Sequence, residues 1–386
     1  MRIPCARRWG ANMVRVCHMT SAHRSDDGRI FKKECVSLAK AGYEVFLVAP
    51  GESRLESGVQ VCGVGQGGGR LSRMLVTARK VYKAARELDA DIYHFHDPEL
   101  LPYGAALAKA GKSVIFDSHE NYPSQILTKQ YLPSSMRAMV SRLYERYEMR
   151  TCGRFAAVIS PCTFAGVSVF KGRAKRAILV GNGCLEDNLP SYESINFDRS
   201  SDAVCCLGSL TYARGITHLV KAAFLADVRL ILCGPISAAY LEVLRAMPEF
   251  RTAEYRGMLP YAQLPAVMEE CFAGVAAGLN VGQYGNADIL PTKVPEYLLN
   301  GLPVILLETP FNRRFMERCE CGLTVRMEDI DAFAAAIRRL KEDGGLRRDM
   351  AHRGRDYALQ HLTWSHDEAQ LLGLYDSIMG EREFSR

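Results

Sequence analysis

Short apolar runs alternate with helical stretches along almost the whole chain, and this alternation constrains the fold more than any other feature. Met13–Met19 (MVRVCHM), Tyr43–Ala49 (YEVFLVA), Val59–Val64, Asp91–Phe95 (DIYHF), Ser113–Asp117 (SVIFD), Ala156–Ser160 (AAVIS) and Ala177–Val180 (AILV) read as strands. Between them, Ile30, Phe31, Cys35, Leu38 and Ala39 recur at helical spacing before Gly42, a basic helix covers Leu71–Leu88, and another covers Leu100–Ala110. Strands that are apolar throughout, joined by helices, predict a parallel sheet covered on both faces. Such sheets bind ligands beyond the carboxyl ends of their strands. The polar clusters Ser21–Asp27, His96–Glu99 and Ser118–Asn121 fall at those ends.

Glu186–Asp202 (EDNLPSYESINFDRSSD) is polar and lacks an apolar period, so it reads as a linker. The alternation then restarts, with strands expected at Ala203–Leu207, Val228–Cys233, Ala273–Ala277 and Pro303–Leu307 and a last helix at Trp364–Met379. Two domains in 386 residues agree with roughly 150 residues per domain. The expected division is 1–187, 188–362 and a closing helical segment, 363–386. Residues 1–12 fit no element and read as an extension, with Met13 an alternative start. No run reaches the roughly 18 unbroken apolar residues of a membrane span. Arg15 interrupts the only apolar stretch near the N-terminus, which argues against a signal peptide. Thirteen scattered cysteines without a C-x-x-C point to reduced, buried thiols and a cytoplasmic setting. A net charge of +6 does not suggest bulk nucleic-acid binding.

The most informative segment is Tyr284–Gly301 (YGNADILPTKVPEYLLNG). Pro295 is tolerated only in the first turn of a helix, so a helix is expected to start near Thr292, capped by it, and to stop at Gly301. Free N–H groups in that first turn, with Lys293 beside them, suit a phosphate. Glu296 lies one turn in, where a carboxylate can accept bonds from sugar hydroxyls, and Asp288 precedes the helix. A capped helix with two surface acids is the plainer alternative.

This run resembles the acid-x7-Glu motif of the retaining glycosyltransferases of family 4, with Asp288 and Glu296 at the matching spacing. Met19–Ala41, His96–Leu101 (HDPELL), Asp117–Tyr122 (DSHENY), Gly208–Gly215 (GSLTYARG), Leu232–Pro235 (LCGP), Tyr255–Gly257 (YRG) and Cys321–Val325 (CGLTV) resemble further landmarks of that family, in the same order. The resemblance implies the GT-B arrangement: an α/β chain of two Rossmann-like domains facing across a cleft, with the C-terminal helix crossing back to the N-terminal domain. It implies transfer of a sugar from a nucleotide-sugar donor with retention, no metal and no cofactor. Same-face attack would be assisted by the donor phosphate, so no protein nucleophile is required. Asp288, His119, Arg214 and Lys293 are then the expected catalytic residues. Glu296, Gly208, Ser209, Arg256, Gly257, Leu290, Pro291 and Thr292 are the expected donor contacts, with Glu296 on the ribose. His23, Asp26, His96, Asp97 and Glu120 are the expected acceptor contacts. The family often has Arg where Ser209 stands, and more often Glu where Asp288 stands.

Asp89-Ala90-Asp91 has the form of a metal motif, but Asp91 opens a strand at the wrong end. Gly63–Gly68 matches G-x-G-x-x-G but follows the third strand and lacks the acid expected about 20 residues on. His94 and His96 share one face of a strand and, with Asp97 and His119, raise the question of a metal; four ligands are not secured, and hydrogen bonding in a cleft is expected instead. Between Ile126 and Arg176, ten basic residues face only Glu145 and Glu148. Met136, Met139, Val140, Leu143, Tyr144 and Tyr147 form a helical stripe expected to pack on its own domain. The charge excess points to an anionic membrane surface, a lipid-linked or glycan acceptor, and a role in surface polysaccharide or glycolipid assembly. A nucleotide-sugar epimerase of the same two-domain plan and a non-catalytic nucleotide-sugar-binding subunit remain as rivals.

Overall fold

The computed structural model describes the chain except residues 1–7, 10–11, 67–68, 120, 129–132, 162, 165–169, 277, 280–286 and 385–386. The chain forms two compact units: residues 1–182 with 367–386, and residues 183–366.

The first unit is built on an eight-stranded sheet. From one edge its strands are Ala177–Leu179, Ala157–Ser160, Ser113–Asp117, Ile92–Phe95, Arg15–Met19, Glu44–Ala49, Val59–Gly63 and Arg54–Glu56. All pairs are parallel except the last, a tight hairpin through Ser57 and Gly58, both at positive φ (52° and 79°). The helix from Ile30 to Lys40 and the one from Ala78 to Glu87 sit where the apolar spacing puts them. The helix Trp364–Phe384 starts in the second unit, and from Asp367 onward it belongs to the first. Asp367 accepts the Gly181 N–H at 3.0 Å, and the Tyr375 hydroxyl reaches His94 Nδ1 at 2.9 Å, inside the first core.

The second unit has a six-stranded, fully parallel sheet in the order Ala253–Tyr255, Arg229–Cys233, Ala203–Leu207, Ala273–Ala276, Val304–Leu307 and Gly322–Val325. Its alternate residues feed two cores. Val204, Cys206, Leu230 and Leu232 face one side, whereas Ala203, Cys205, Leu207 and Ile231 face the other. All cysteines among the described residues are free thiols, and all of these but Cys62 are buried.

The polar stretch read as a linker is instead wrapped onto the second unit. Its Arg199 guanidinium donates to the carbonyls of Asn196, Met268, Cys271 and Asn300. Arg355 holds the Pro190 carbonyl at 2.5 Å, and Ile195 and Phe197 pack beside Gly301. A segment without apolar periodicity is thus fixed by backbone carbonyls finding buried arginines, which hydropathy does not reveal.

One close fit places the key helix. The buried ring of Tyr297 occupies the space over Gly274, where an added Cβ would meet it at 2.4 Å, and its hydroxyl accepts the Leu207 N–H at 2.8 Å. Gly274→Ala should therefore overpack this seat and lower stability by about 1–3 kcal/mol, read as a lower denaturation midpoint; an unchanged midpoint would mean that the helix is not held there.

Candidate active site

The residues expected to contact the donor come from two strand ends and one helix start of the second unit. The loop after Ala203–Leu207 begins at Gly208, whose φ of +107° suits glycine, and the loop after Arg229–Cys233 begins at Gly234. Gly234 approaches so closely that a Cβ there would lie 1.9 Å from the Gly208 carbonyl oxygen. Gly208 N–H donates to Cys233 O (2.8 Å) and Gly234 N–H to Gly257 O (2.8 Å), which stitches the loops together. Arg214 ends a short turn capped by the Thr211 hydroxyl, and Gly215 follows at φ +70°. The helix Lys293–Leu299 brings the third contribution.

Gly208, Ser209, Arg214, Pro291, Thr292 and Lys293 line one hollow, with Cys206, Leu207, Val275 and Ala276 behind them. Thr292 stands at the helix start in a helical conformation, and its side chain makes no capping bond. The Val294 N–H is taken by Pro291 O at 2.9 Å. The expected Thr292 cap is therefore absent, and in so short a helix the positive character of the hollow rests on Lys293 and Arg214. The Lys293 ammonium lies 3.0 and 3.2 Å from the two Glu296 oxygens and 5.8 Å from the centre of the Tyr261 ring. Glu296 itself lines a second, larger hollow of about 440 Å³ with Leu185, Leu189, Tyr261, Leu264, Met268 and Asn300. Sequence reading missed this apolar pocket, because its wall comes from the polar stretch and from a short helix with no motif.

Asp288 lies 3.4 Å from the Arg314 guanidinium. Leu290 packs into the core beneath the helix. Arg256 is not in the hollow: its guanidinium is bound by Glu254 and Glu270 on the surface, at 2.6–3.0 Å. Gly257, at φ +74°, contributes the carbonyl that holds Gly234.

In the first unit, Asp97 is buried and serves the loop after the first parallel strand. Its Oδ2 accepts from the Ser21 N–H (2.6 Å), Ala22 N–H (3.1 Å) and Thr20 hydroxyl (2.8 Å). His23, held 3.1 Å from Asp27, and Asp26, paired with Arg24, line an open pocket of about 830 Å³ with Glu52, Arg54 and Arg73. The His23 and His119 rings meet edge to face at 5.0 Å, and His119 Nε2 lies 3.2 Å from both His96 Nδ1 and Asp117 Oδ2. His96 is fully buried, and burial drives its pKa down to about 4. It lies behind His119 rather than on the surface. Glu120 falls outside the described residues.

The helix Ser134–Cys152 departs from expectation. Its buried side is Ser141, Glu148, Thr151 and Cys152, and Met136, Met139, Leu143 and Tyr147 are exposed. Polar anchors explain the inversion. Ser141 Oγ donates to Pro123 O at 2.8 Å, and Tyr144 donates to Glu148, whose pKa burial pushes up to about 7. Leu71, Met74, Leu75 and Val76 of the earlier basic helix are exposed as well. Among the described residues, no helix is long and apolar enough to cross a membrane.

Two Rossmann-like units, the second carrying a cationic hollow at its strand ends, are the fold of the GT-B class. Residues 28–183 match the family model described as Glycosyltransferase Family 4, and residues 216–373 match one described as Glycosyl transferase-like. The chain belongs to glycosyltransferase family 4, whose members transfer a sugar from a nucleotide-sugar with retention and without a metal. No curated protein matches it significantly. Among solved structures, sucrose-phosphate synthase from Thermosynechococcus elongatus superposes with a TM-score of 0.76 at 15% identity, covering 95% of this chain and all of that one. Anabaena HepE, in complex with UDP and glucose, gives 0.69 at 15% identity over 94% of this chain and 100% of its own. The trehalose 6-phosphate synthase of Burkholderia multivorans gives 0.67 at 13% identity over 96% and 99%.

The His23–Asp27 pair makes a pH prediction. Burial pulls the His23 pKa down, but the bond to Asp27 and the charges of Asp97 and Asp27 outweigh it, and the net direction is up. A raised histidine pKa stabilises the fold fully below about pH 6.5 and loses that contribution as pH rises through the folded value. An NMR titration should show His23 titrating above about 6.5 and returning toward it in Asp27→Asn; a normal value in the wild type would show the pair to be absent.

Proposed function

We propose that the second unit binds the nucleotide-sugar donor and the first binds a glycan or lipid-linked acceptor, and that the product enters surface polysaccharide or glycolipid assembly. The observation that carries the donor half is the convergence of Gly208, Ser209, Arg214, Thr292 and Lys293 on one hollow. Breaking a sugar–diphosphate bond places negative charge on the leaving nucleotide. Arg214 and Lys293 meet that charge where a metal serves in other enzymes. Glu296, between this hollow and the apolar pocket, takes the ribose hydroxyls, and the base lies against Tyr261, Leu264 and Met268. Asp288 and His119 attend the donor sugar. His23 and Asp26, on their open pocket, contact the acceptor, with Asp97 and His96 holding the loop and His119 behind them. HepE, captured with UDP and glucose, makes UDP-glucose the first donor to test.

The exposed Met136, Met139, Leu143 and Tyr147, interleaved with Arg142, Arg146 and Arg150, suit an acidic membrane surface. Apolar side chains enter the interface while each nearby arginine contributes about 1 kcal/mol. These exposed residues support an acceptor held at a membrane.

Glu296→Ala should abolish or greatly weaken turnover while leaving the melting temperature near wild type, and Lys293→Ala should reduce kcat by about 100- to 1000-fold. Near-normal turnover in either would overturn the donor assignment, and conversion of donor without any acceptor would identify an epimerase instead. Sedimentation with anionic vesicles should carry the protein down at low salt and release it as salt rises; absence of binding at low salt would remove the membrane from the account.

A further inference from the structure

Beneath the His23 loop of the first unit lies a group of buried side chains of which only His96 has a part in the acceptor site proposed above. His18, His94 and His96 point into one space from two neighbouring strands, and Glu34 enters it from the helix Ile30–Lys40; all four are fully buried. His18 Nδ1, His94 Nε2 and His96 Nε2 each lie 3.9 Å from Glu34 Oε2, and His18 Nδ1 lies 3.1 Å from His96 Nε2. The four ligand atoms all fall within 4.8 Å of one another. A tetrahedral ion with bonds of about 2.0–2.1 Å holds its ligand atoms about 3.3 Å apart, so the four atoms must draw together, Glu34 by about half an ångström, to complete the site.

Two further features separate this group from an ordinary hydrogen-bonded core. First, His94 Nε2 and Glu34 Oε2 have no hydrogen-bond partner among the described residues, although both are buried and aimed at the shared space. Second, the outer nitrogen of every ring is attended, as metal-bound histidines require. The Tyr375 hydroxyl lies 2.9 Å from His94 Nδ1 and 3.4 Å from His18 Nε2. His96 Nδ1 lies 3.5 Å from Asp117 Oδ2, and Arg29 holds both Asp117 (2.8 Å) and the other Glu34 oxygen (3.0 Å).

We propose that His18, His94, His96 and Glu34 bind one divalent transition-metal ion, with Zn²⁺ the ion best suited to three imidazoles and a carboxylate. Its role is structural: it ties two central strands to the helix Ile30–Lys40 and, through Tyr375, to the last helix. Transfer remains independent of it.

The test is elemental analysis of the full-length chain after equilibration with Zn²⁺ and removal of excess, together with the visible spectrum after loading with Co²⁺. The proposal expects one ion per chain, intense tetrahedral cobalt bands, and a rise in melting temperature with Zn²⁺. All three should be lost in His94→Gln and in Glu34→Gln and kept in His361→Gln. A wild-type chain that retains no metal and gives only the weak spectrum of hydrated cobalt would overturn the proposal. So would full metal content in a folded His94→Gln. Should both core variants fail to fold, the wild-type stoichiometry and cobalt spectrum still decide.

Discussion

The seat of Tyr297 over Gly274 governs where this enzyme can meet negative charge. The helix Lys293–Leu299 is too short to hold itself in place, since isolated helices of this length do not persist in water. Its position is set by burial of Val294, Tyr297, Leu298 and Leu299 and by the bond from Leu207 N–H to the Tyr297 hydroxyl. That bond ties the helix to the very strand whose next residue is Gly208. Lys293 is thereby carried to the Gly208 loop, where its side chain lies 3.7 Å from the position a Gly208 Cβ would take. The hollow is therefore shaped by packing before any ligand arrives.

The first unit solves a different problem. Its loop after Arg15–Met19 carries few apolar residues, and buried carboxylates hold it instead. Asp97 collects the N–H groups of Ser21 and Ala22, while Arg29 bridges Asp117, Glu34 and the carbonyls of Val180 and Gly181. Burying so many polar groups is tolerable only because most find partners. His94 Nε2 and Glu34 Oε2, which find none among the described residues, are what distinguish this core.

Much of this was legible in the sequence. The central strands of both sheets announced themselves as apolar runs. Pro295 located the helix start. The edge strands were less legible: Arg54–Glu56 is too polar to read as a strand, and only the Ser57-Gly58 pair signals its turn. The wrapped segment 186–202 was misread because it is held by Arg199 and Arg355, whose partners are backbone carbonyls distant in sequence. The stripe on Ser134–Cys152 was misread because periodicity reveals that a face is apolar, not which way it turns. Glu34 and His18 escaped notice because the sheet, not a motif, brings them to His94 and His96.

The proposed donor site is the cationic hollow of Arg214 and Lys293, gripping the departing diphosphate without a metal. Its most direct test is calorimetric titration of the preferred nucleoside diphosphate, with and without added Mg²⁺, into the wild type and into Arg214→Ala/Lys293→Ala. Affinity should be indifferent to Mg²⁺ and fall at least tenfold in the double variant, while the bare nucleoside binds both proteins alike. Binding that depends on Mg²⁺, or that survives the double substitution undiminished, would contradict it.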